Sequence, residues 1–470
     1  MAGLLDVQIA ALEAARGHHG FAYWMEMGLG KTLTALTEFK QLAETGEATR
    51  LVVVCPNTFK GGWRDEIAKH NINVDEHIYE SGGYNDQFLR RSFNRPPVLI
   101  VNYEAIRRAN TQQFLVDFVG HKNGMIVFDE SIQIKTHNSQ QTRAAIMLSK
   151  YFKYSRILSG KPMTQGPHDL WGQMRAIGVL EGRNFFSFRN TFCRMGGYMN
   201  KKVMGAQNED ILAKLIDPHV FRATKDEWLD LPPKLYTTRD VEMVGNQATQ
   251  YRQMEQDFVA WLENDEYITV DMALTKYVKL AQIQFGFVID EEGSVHELVD
   301  PAHNPRINAI KELLDTEITG KLVVVYHHRY AGEVLLNALK DYSPTFIRGG
   351  MTPDEIVANR DSFNQNRNTR VICIQTIAGK YGHTLVGGDS VFEHCSTMAF
   401  AENTWSLDTR SQLEDRIHRI GQHGESCLYV DLVSSPLDRR IVRALQEKQA
   451  IFDAVMAHVK NSTKRKVLHS

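Results

Sequence analysis

Three short clusters in this chain carry residue types suited to phosphate chemistry. The first, Met27-Gly28-Leu29-Gly30-Lys31-Thr32, follows the apolar run Phe21 to Met25 and precedes the helix-like stretch Leu33 to Leu42. Glycines let backbone amides approach phosphate oxygens and a helix N-terminus adds positive potential. Lys31 can then reach the β and γ phosphates while Thr32 holds magnesium. Strict phosphate-loop spacing would place a glycine where Met25 stands, so this motif alone leaves a chance turn open. The second cluster is Asp129-Glu130 at the end of the apolar run Met125 to Phe128. Asp129 is placed to hold magnesium and Glu130 to orient and deprotonate an attacking water, although adjacent acids after a strand also serve as plain helix caps. The third is Gln412 to Gln422, where Arg416 and Arg419 stand at helical spacing. They belong either to a salt-bridged surface helix or to a site where a guanidinium meets the charge of phosphoryl transfer.

These clusters need a scaffold that brings strand ends together. Short Val/Ile/Leu runs alternate with amphipathic stretches, the pattern of parallel strands buried on both faces, so the fold class is α/β. The first series of expected strands is Phe21 to Met25, Leu51 to Cys55, Val98 to Asn102, Met125 to Phe128 and Arg156 to Ser159. A second series runs Lys321 to Tyr326, Val371 to Gln375, Thr397 to Ala401 and Cys427 to Val433, with a helix expected over Pro305 to Leu314. Between them, Phe185 to His303 has few strand signals and contains the break Leu231-Pro232-Pro233-Lys234, read as a stiff connector. The expected organisation is an N-terminal lobe over 1–228 with helical elaboration from about 185, an interlobe linker and helical protrusion over 229–303, and a C-terminal lobe over 304–470.

At 470 residues the chain holds two large domains or about three ordinary ones. With 43% hydrophobic and 23% charged residues it has material for buried cores. Neither an apolar run long enough to span a bilayer nor the basic-then-apolar order of a signal peptide is present, so the expected location is the cytoplasm, or the nucleus in a eukaryote, and not outside the cell. Five scattered cysteines, with neither metal-ligand nor disulfide spacing, read as reduced thiols. A net charge of −2 means that any nucleic-acid contact must come from a local basic groove. The basic end, Lys460 to Ser470, reads as a solvated tail.

Taken in order, the motifs resemble those of Swi/Snf-type ATPases of helicase superfamily two, and the likeness spans nearly the whole chain. Met27 to Thr32 resembles motif I, and Gln8 is placed like the glutamine that reads adenine. Val53 to Asn57 with Trp63 to Glu66 is similar to motif Ia, Val101 to Glu104 to the next DNA-contact segment, and Asp129-Glu130, extended by Lys135 and Asn138, to motif II. Leu158 to Pro162 with Asp169 to Trp171 resembles motif III, and Leu229 to Lys234 the interlobe segment. Lys321 to Tyr326 is similar to motif IV, Gly349 to Thr352 with Arg360 and Phe363 to the segment after it, and Thr376 to Leu385 to motif V. Trp405 ahead of Gln412 to Gln422 resembles motif VI.

The resemblance implies two RecA-like lobes and a DNA-dependent ATPase using ATP and magnesium. It implies nucleotide binding by Gln8, Gly28, Gly30, Lys31 and Thr32, metal binding by Thr32 and Asp129, and catalysis by Lys31, Glu130, Arg416 and Arg419. Nucleic-acid contacts are expected at Pro56, Asn57, Asn102, Tyr103, Gly349, Thr376, Gly379 and Trp405, and coupling at Ser159, Gly160 and Gln412. The implied partner is double-stranded or branched DNA, with no membrane and a monomeric motor free of appended domains. Three departures bear on coupling: Ile132 stands where the family usually has histidine, Lys161 replaces the usual threonine, and Lys380 to Thr384 differs from the motif V pattern. The expected activity is translocation along duplex DNA. Its rivals are a strand-separating DNA or RNA helicase and an ATP-switched nucleic-acid clamp that does not step.

Overall fold

A computed structural model describes residues 3–80, 86–89, 91–120, 123–197, 202–263, 270–378 and 383–458. The chain forms two compact units, Met1–Asp230 with Glu447–Ser470, and Leu231–Gln446. The first contains β1 (Gly20–Met25), β2 (Arg50–Cys55), β3 (Asp75–Ile78), β4 (Pro97–Asn102), β5 (Gly124–Phe128), β6 (Tyr154–Leu158), a hairpin of β7 (Cys193–Gly196) and β8 (Lys202–Ala206), and β9 (Val220–Ala223). Seven of these form one sheet in the order β3-β4-β2-β5-β6-β1-β9, and every pair in it is parallel. The second unit contains β10 (Lys234–Asp240), β11 (Phe287–Ile289), β12 (Val295–Glu297), β13 (Leu322–Tyr326), β14 (Thr345–Ile347), β15 (Val371–Gln375), β16 (Thr397–Phe400) and β17 (Cys427–Val433). Six of them make an all-parallel sheet in the order β10-β17-β16-β13-β15-β14.

The continuous apolar runs follow from burial on both faces, because alternate residues of one strand feed two separate cores. In β2, Val52 and Val54 enter one cluster while Leu51, Val53 and Cys55 enter the other. In β13, Leu322, Val324 and Tyr326 face one core and Val323 and Val325 the second. Each sheet also packs around a buried arginine. Arg156 of β6 is held by Glu38 at 2.5 Å in the first unit, and Arg306 by Asp438 at 2.5 Å in the second. All five cysteines are buried and free of disulfides, and among the described residues no helix is long and apolar enough to cross a membrane.

The middle region holds more strand than its texture suggested. β9 adds to the first sheet beside β1, and β10, which begins right after Pro232-Pro233, adds to the second beside β17. Edge strands with mixed polarity carry no continuous apolar run, which is why they were not legible. Residues 229–303, expected as linker and protrusion, therefore fall almost wholly in the second unit. The last helix, Pro436–His458, belongs to the second unit up to Gln446 and to the first from Glu447. Its Phe452, Val455 and Met456 are part of a first-unit core, so the end of the chain does not group with the C-terminal lobe as expected.

Candidate active site

The order β5-β6-β1 decides the first site. Neighbouring strands lie about 4.8 Å apart, so the segments following these three emerge side by side at the C-terminal edge of the sheet. After β1, Gly28 and Gly30 take φ values of +94° and +78°, a region where a side chain is strained. A Cβ on Gly30 would also lie 2.1 Å from Gln8 Nε2. The Gln8 amide donates to the Gly30 carbonyl at 3.2 Å and accepts from the Leu5 N–H at 2.9 Å, which fixes it on the loop. Lys31 opens the helix Lys31–Glu44, and its ammonium donates to the Met25 carbonyl at 2.9 Å.

After β5, Asp129 is buried and its carboxylate accepts from the Trp63 indole N–H at 2.8 Å and the Glu130 N–H at 2.9 Å. The Tyr103 hydroxyl donates to the Asp129 carbonyl at 2.8 Å. Burial raises the Asp129 pKa, against the opposing pull of the Trp63 hydrogen bond and the Lys31 charge. Glu130 holds φ at +47°, an unusual backbone for a residue with a Cβ; such strain costs about 1–3 kcal/mol and concentrates at functional sites. After β6, Ser159 Oγ is buried with no hydrogen-bond partner among the described residues. A Cβ on Gly160 would lie 3.4 Å from the Met27 nitrogen, so motif III packs directly on the glycine loop.

This arrangement fits a magnesium nucleotide. Left-handed glycines leave a cradle open, a helix N-terminus faces it, and a hydroxyl and a carboxylate offer the hard oxygen donors that magnesium prefers. The residues suited to the metal are Thr32 and Asp129.

In the second unit the helix Leu407–Glu414 ends before the two arginines. Arg416 and Arg419 therefore lie in the turn that follows and do not share a helical face as their spacing suggested. Arg416 is 1% exposed. Burial lowers the Arg419 pKa. Burial, followed by the charges of Arg416, Arg360 and Arg419, pulls His383 down to about 4. Upstream, Glu414 accepts from Arg410 at 2.8 Å, from the Tyr236 hydroxyl at 2.8 Å and from Lys234 at 3.2 Å. The segment after Pro232-Pro233 is thereby fastened to the base of motif VI.

A model of the SNF2-related domain matches residues 14–285, more than half of the chain, and a model of the helicase conserved C-terminal domain matches residues 305–421. The chain belongs to the SNF2-related family. Both halves of a helicase superfamily-two ATPase are present, and the two parallel-sheet lobes are the RecA-like pair that this family shares. Among curated relatives, a DNA annealing helicase and endonuclease, ZRANB3, of Homo sapiens is 23% identical over 94% of this chain and 39% of its own length. A Caenorhabditis elegans homologue of the SWI/SNF-related regulator of chromatin subfamily A-like protein 1 is 25% identical over 92% of this chain and 58% of its own. The TATA-binding protein-associated factor BTAF1 of Arabidopsis thaliana is 24% identical over 92% and 24%. This chain thus spans about a quarter to somewhat over half of those proteins. The solved SWI2/SNF2 ATPase core of Sulfolobus solfataricus in complex with dsDNA is 20% identical, covering 100% of this chain and 96% of that one, with a TM-score of 0.43.

Several SNF2-type positions take places other than those expected. Tyr103, expected to face nucleic acid, is 2% exposed and braces Asp129 instead. Thr376 is likewise buried, at 4%. Pro56 and Asn57 follow β2 and Asn102 ends β4, on the same edge as the glycine loop, with Asn57 exposed. Gly349 is exposed and Trp405 half-buried; Gly379 lies outside the described residues. Gln412 is 7% exposed, and its Oε1 is buried without a partner among the described residues.

The SNF2 departures at motifs II and III have structural replacements. Ile132 is buried, and the link to motif III starts one residue earlier: the Ser131 hydroxyl donates to Gln173 Oε1 at 2.7 Å, and the Gln173 amide donates to the Pro162 carbonyl at 2.6 Å. Lys135 adds a second link through Thr164 at 2.8 Å, which Asp169 holds in turn. Lys161 donates to Gln449 Oε1 and lies 5.6 Å from the centre of the Phe452 ring, so it anchors the end of the last helix. Lys225 was also missed. It is 1% exposed, its N–H donates to Glu26 at 2.8 Å, and its Cε lies 3.8 Å from where a Gly28 Cβ would be. No signal near Lys225 in sequence ties it to a loop some 200 residues upstream; only β9 pairing with β1 does so.

Proposed function

We propose that this chain is an ATP-dependent double-stranded DNA translocase that remodels branched DNA or displaces bound protein. The observation that carries the ATPase part is the alignment of the glycine loop, the Asp129-Glu130 pair and Ser159-Gly160 at the ends of three adjacent strands. In this reading the loop amides and Lys31 bind the β and γ phosphates, and Gln8 contacts the adenine. Magnesium, held by Thr32 and Asp129, would neutralise charge on the phosphate oxygens. Glu130 accepts the proton of the attacking water, its carboxylate aimed by the constrained backbone beneath it. Arg416 and Arg419 supply positive charge to the transition state. The links Ser131–Gln173–Pro162 and Lys135–Thr164–Asp169 tie hydrolysis to motif III, which favours a stepping motor over a clamp that only switches affinity.

The DNA-directed part rests on the SNF2-related membership and on strand-end segments that offer backbone-type contacts, so binding is sequence-tolerant and salt-sensitive. ATPase activity measured without nucleic acid and with duplex, single-stranded, forked DNA and RNA tests the reading. Strongest stimulation by duplex or duplex-containing branched DNA, with displacement of a third strand and no bulk unwinding, supports it. Stimulation by RNA and not by DNA overturns it.

A further inference from the structure

The second sheet repeats the arrangement of the first with different residues. Its central order β16-β13-β15-β14 aligns four segments: Glu402 to Trp405 after β16, His327-His328 after β13, Thr376 after β15 and Gly349 after β14. Three of the residues expected to meet DNA lie in these segments. We propose that His327, His328 and Glu402 form one positioning unit that sets the DNA-facing edge of the second lobe, holding the segments of Gly349, Thr376 and Trp405 in register with one another. The inference rests on the DNA-motor reading above and assigns it residues that no motif singled out.

The geometry is continuous. The Glu402 carboxylate accepts the His327 N–H at 2.7 Å and the His328 N–H at 2.9 Å, and its other oxygen pairs with His328 Nδ1 at 2.6 Å. His327 Nδ1 bonds to the Thr376 hydroxyl at 2.7 Å. Gln375 donates to the His327 carbonyl at 3.1 Å and accepts from the Gly349 N–H at 3.0 Å. On the other side Asn403 bonds Asp431 at 2.8 Å and accepts from Arg410 at 2.8 Å, while Trp405 lies 5.8 Å from Tyr277, ring centre to ring centre. The adjoining cavity of about 90 Å³ is lined by Tyr277, Arg306, both histidines, Glu402 and Trp405 among others. It has room for water and is far below the roughly 300 Å³ of a small-molecule pocket, so the cluster is an internal brace and not a ligand site.

His328 is a proton-dependent part of this brace. Burial opposes its charge, but the hydrogen bond and the charge of Glu402 prevail and raise its pKa. His327 is shifted the other way, by burial and by His328, with Glu402 opposing. Among the described residues, the other charged or titratable groups lining the cavity are Arg306 and Asp438, paired with each other at 2.5 Å, and Tyr277, pushed up to about 12 chiefly by burial. Of the two histidines, His328 is the one whose charged form Glu402 favours on balance.

The test uses the full chain and a duplex DNA titration, reading the DNA concentration for half-maximal ATPase stimulation separately from the rate at saturating DNA, at several salt concentrations and from pH 5.5 to 9. For His328→Ala and Glu402→Gln we expect the half-maximal DNA concentration to rise about tenfold, with a smaller change in the saturated rate. The slope of log affinity against log salt should stay at its wild-type value, because neither residue neutralises a phosphate. In wild type the half-maximal concentration should rise as pH climbs through the His328 pKa, and Glu402→Gln should shift or flatten that limb. His328→Gln, which keeps a side-chain hydrogen bond without the charge, should restore part of the affinity and lose the pH limb; it also serves if the alanine variant fails to fold. Folded variants with wild-type DNA dependence and pH profile would overturn the inference and leave the motor reading intact. A reduced salt slope would also overturn it, by making the histidine a direct phosphate contact. Wild-type protein that hydrolyses ATP without any response to DNA would instead remove the underlying reading.

Discussion

At the C-terminal edge of the first sheet, the segments after β5, β6 and β1 bring a strained Glu130, a buried Ser159 hydroxyl without a partner among the described residues and two left-handed glycines beside one another. At the corresponding edge of the second sheet, the segments after β16, β13 and β15 bring a carboxylate, two imidazoles and a threonine that satisfy each other. Both sheets are parallel, and in open α/β folds ligands bind where strands end. They differ in what is left unsatisfied. The first edge combines backbone strain at Glu130 with a Ser159 hydroxyl that has no partner among the described residues, whereas the second joins its polar groups to one another. Equivalent architecture therefore does not imply equivalent chemistry: the residues following each strand decide what an edge can do.

The contrast breaks most sharply at Glu130. Glu130→Gln should reduce hydrolysis by a factor of about 10³ or more while ATP stays bound, and Lys31→Ala should lose both binding and turnover. Nucleotide affinity followed by fluorescence alongside phosphate release checks this, and wild-type turnover in either variant removes the assigned role. For the second lobe, Arg419→Ala should keep ATP binding and lose DNA-stimulated turnover by a factor on the order of 10³. Because Arg416 is nearly fully buried, its alanine variant should also lose stability, which thermal melts would separate from the kinetic effect.

Breaking the buried pair in the second unit sharpens the comparison at the level of the scaffold. Asp438→Ala leaves Arg306 as an uncompensated buried charge and should cost about 3–5 kcal/mol, read as a lower denaturation midpoint. At the first edge, Trp63→Phe removes the indole N–H to Asp129 together with part of the ring volume packed in the core. It should raise the magnesium needed for half-maximal activity roughly tenfold or more, since a hydrogen bond to a charged group contributes about 1.5–3 kcal/mol.

The smallest effect concerns pH. His328 is raised, so its contribution is fully present below its unfolded pKa of about 6.5 and is lost as pH rises through the folded value. Burial would raise Glu402, but His328 pulls it down, so its contribution holds above about 4.3 and is lost as pH falls through the folded value. The stability difference between wild type and Glu402→Gln should therefore be largest between about pH 4.3 and 6.5 and shrink on either side. A difference independent of pH would show that the pair contributes no charge interaction.

The glycine loop after β1, the paired acids after β5, the α/β class and the central strands of both sheets were legible in the sequence because each depends on neighbours in the chain: an apolar run, then a glycine, an acid or a lysine at its end. The helical face expected for Arg416 and Arg419 was not, because the helix stops at Glu414, where Arg410, Tyr236 and Lys234 converge on one carboxylate. Tertiary structure alone decided that Tyr103 supports Asp129, that Lys161 anchors the last helix and that His327 reaches Thr376. It also brought Lys225 to the glycine loop through β9 and joined His328 to Glu402 through β16. Those pairings arise from strand order, and strand order is set by which faces the two cores can bury together, a property of the assembled sheet that local spacing does not encode.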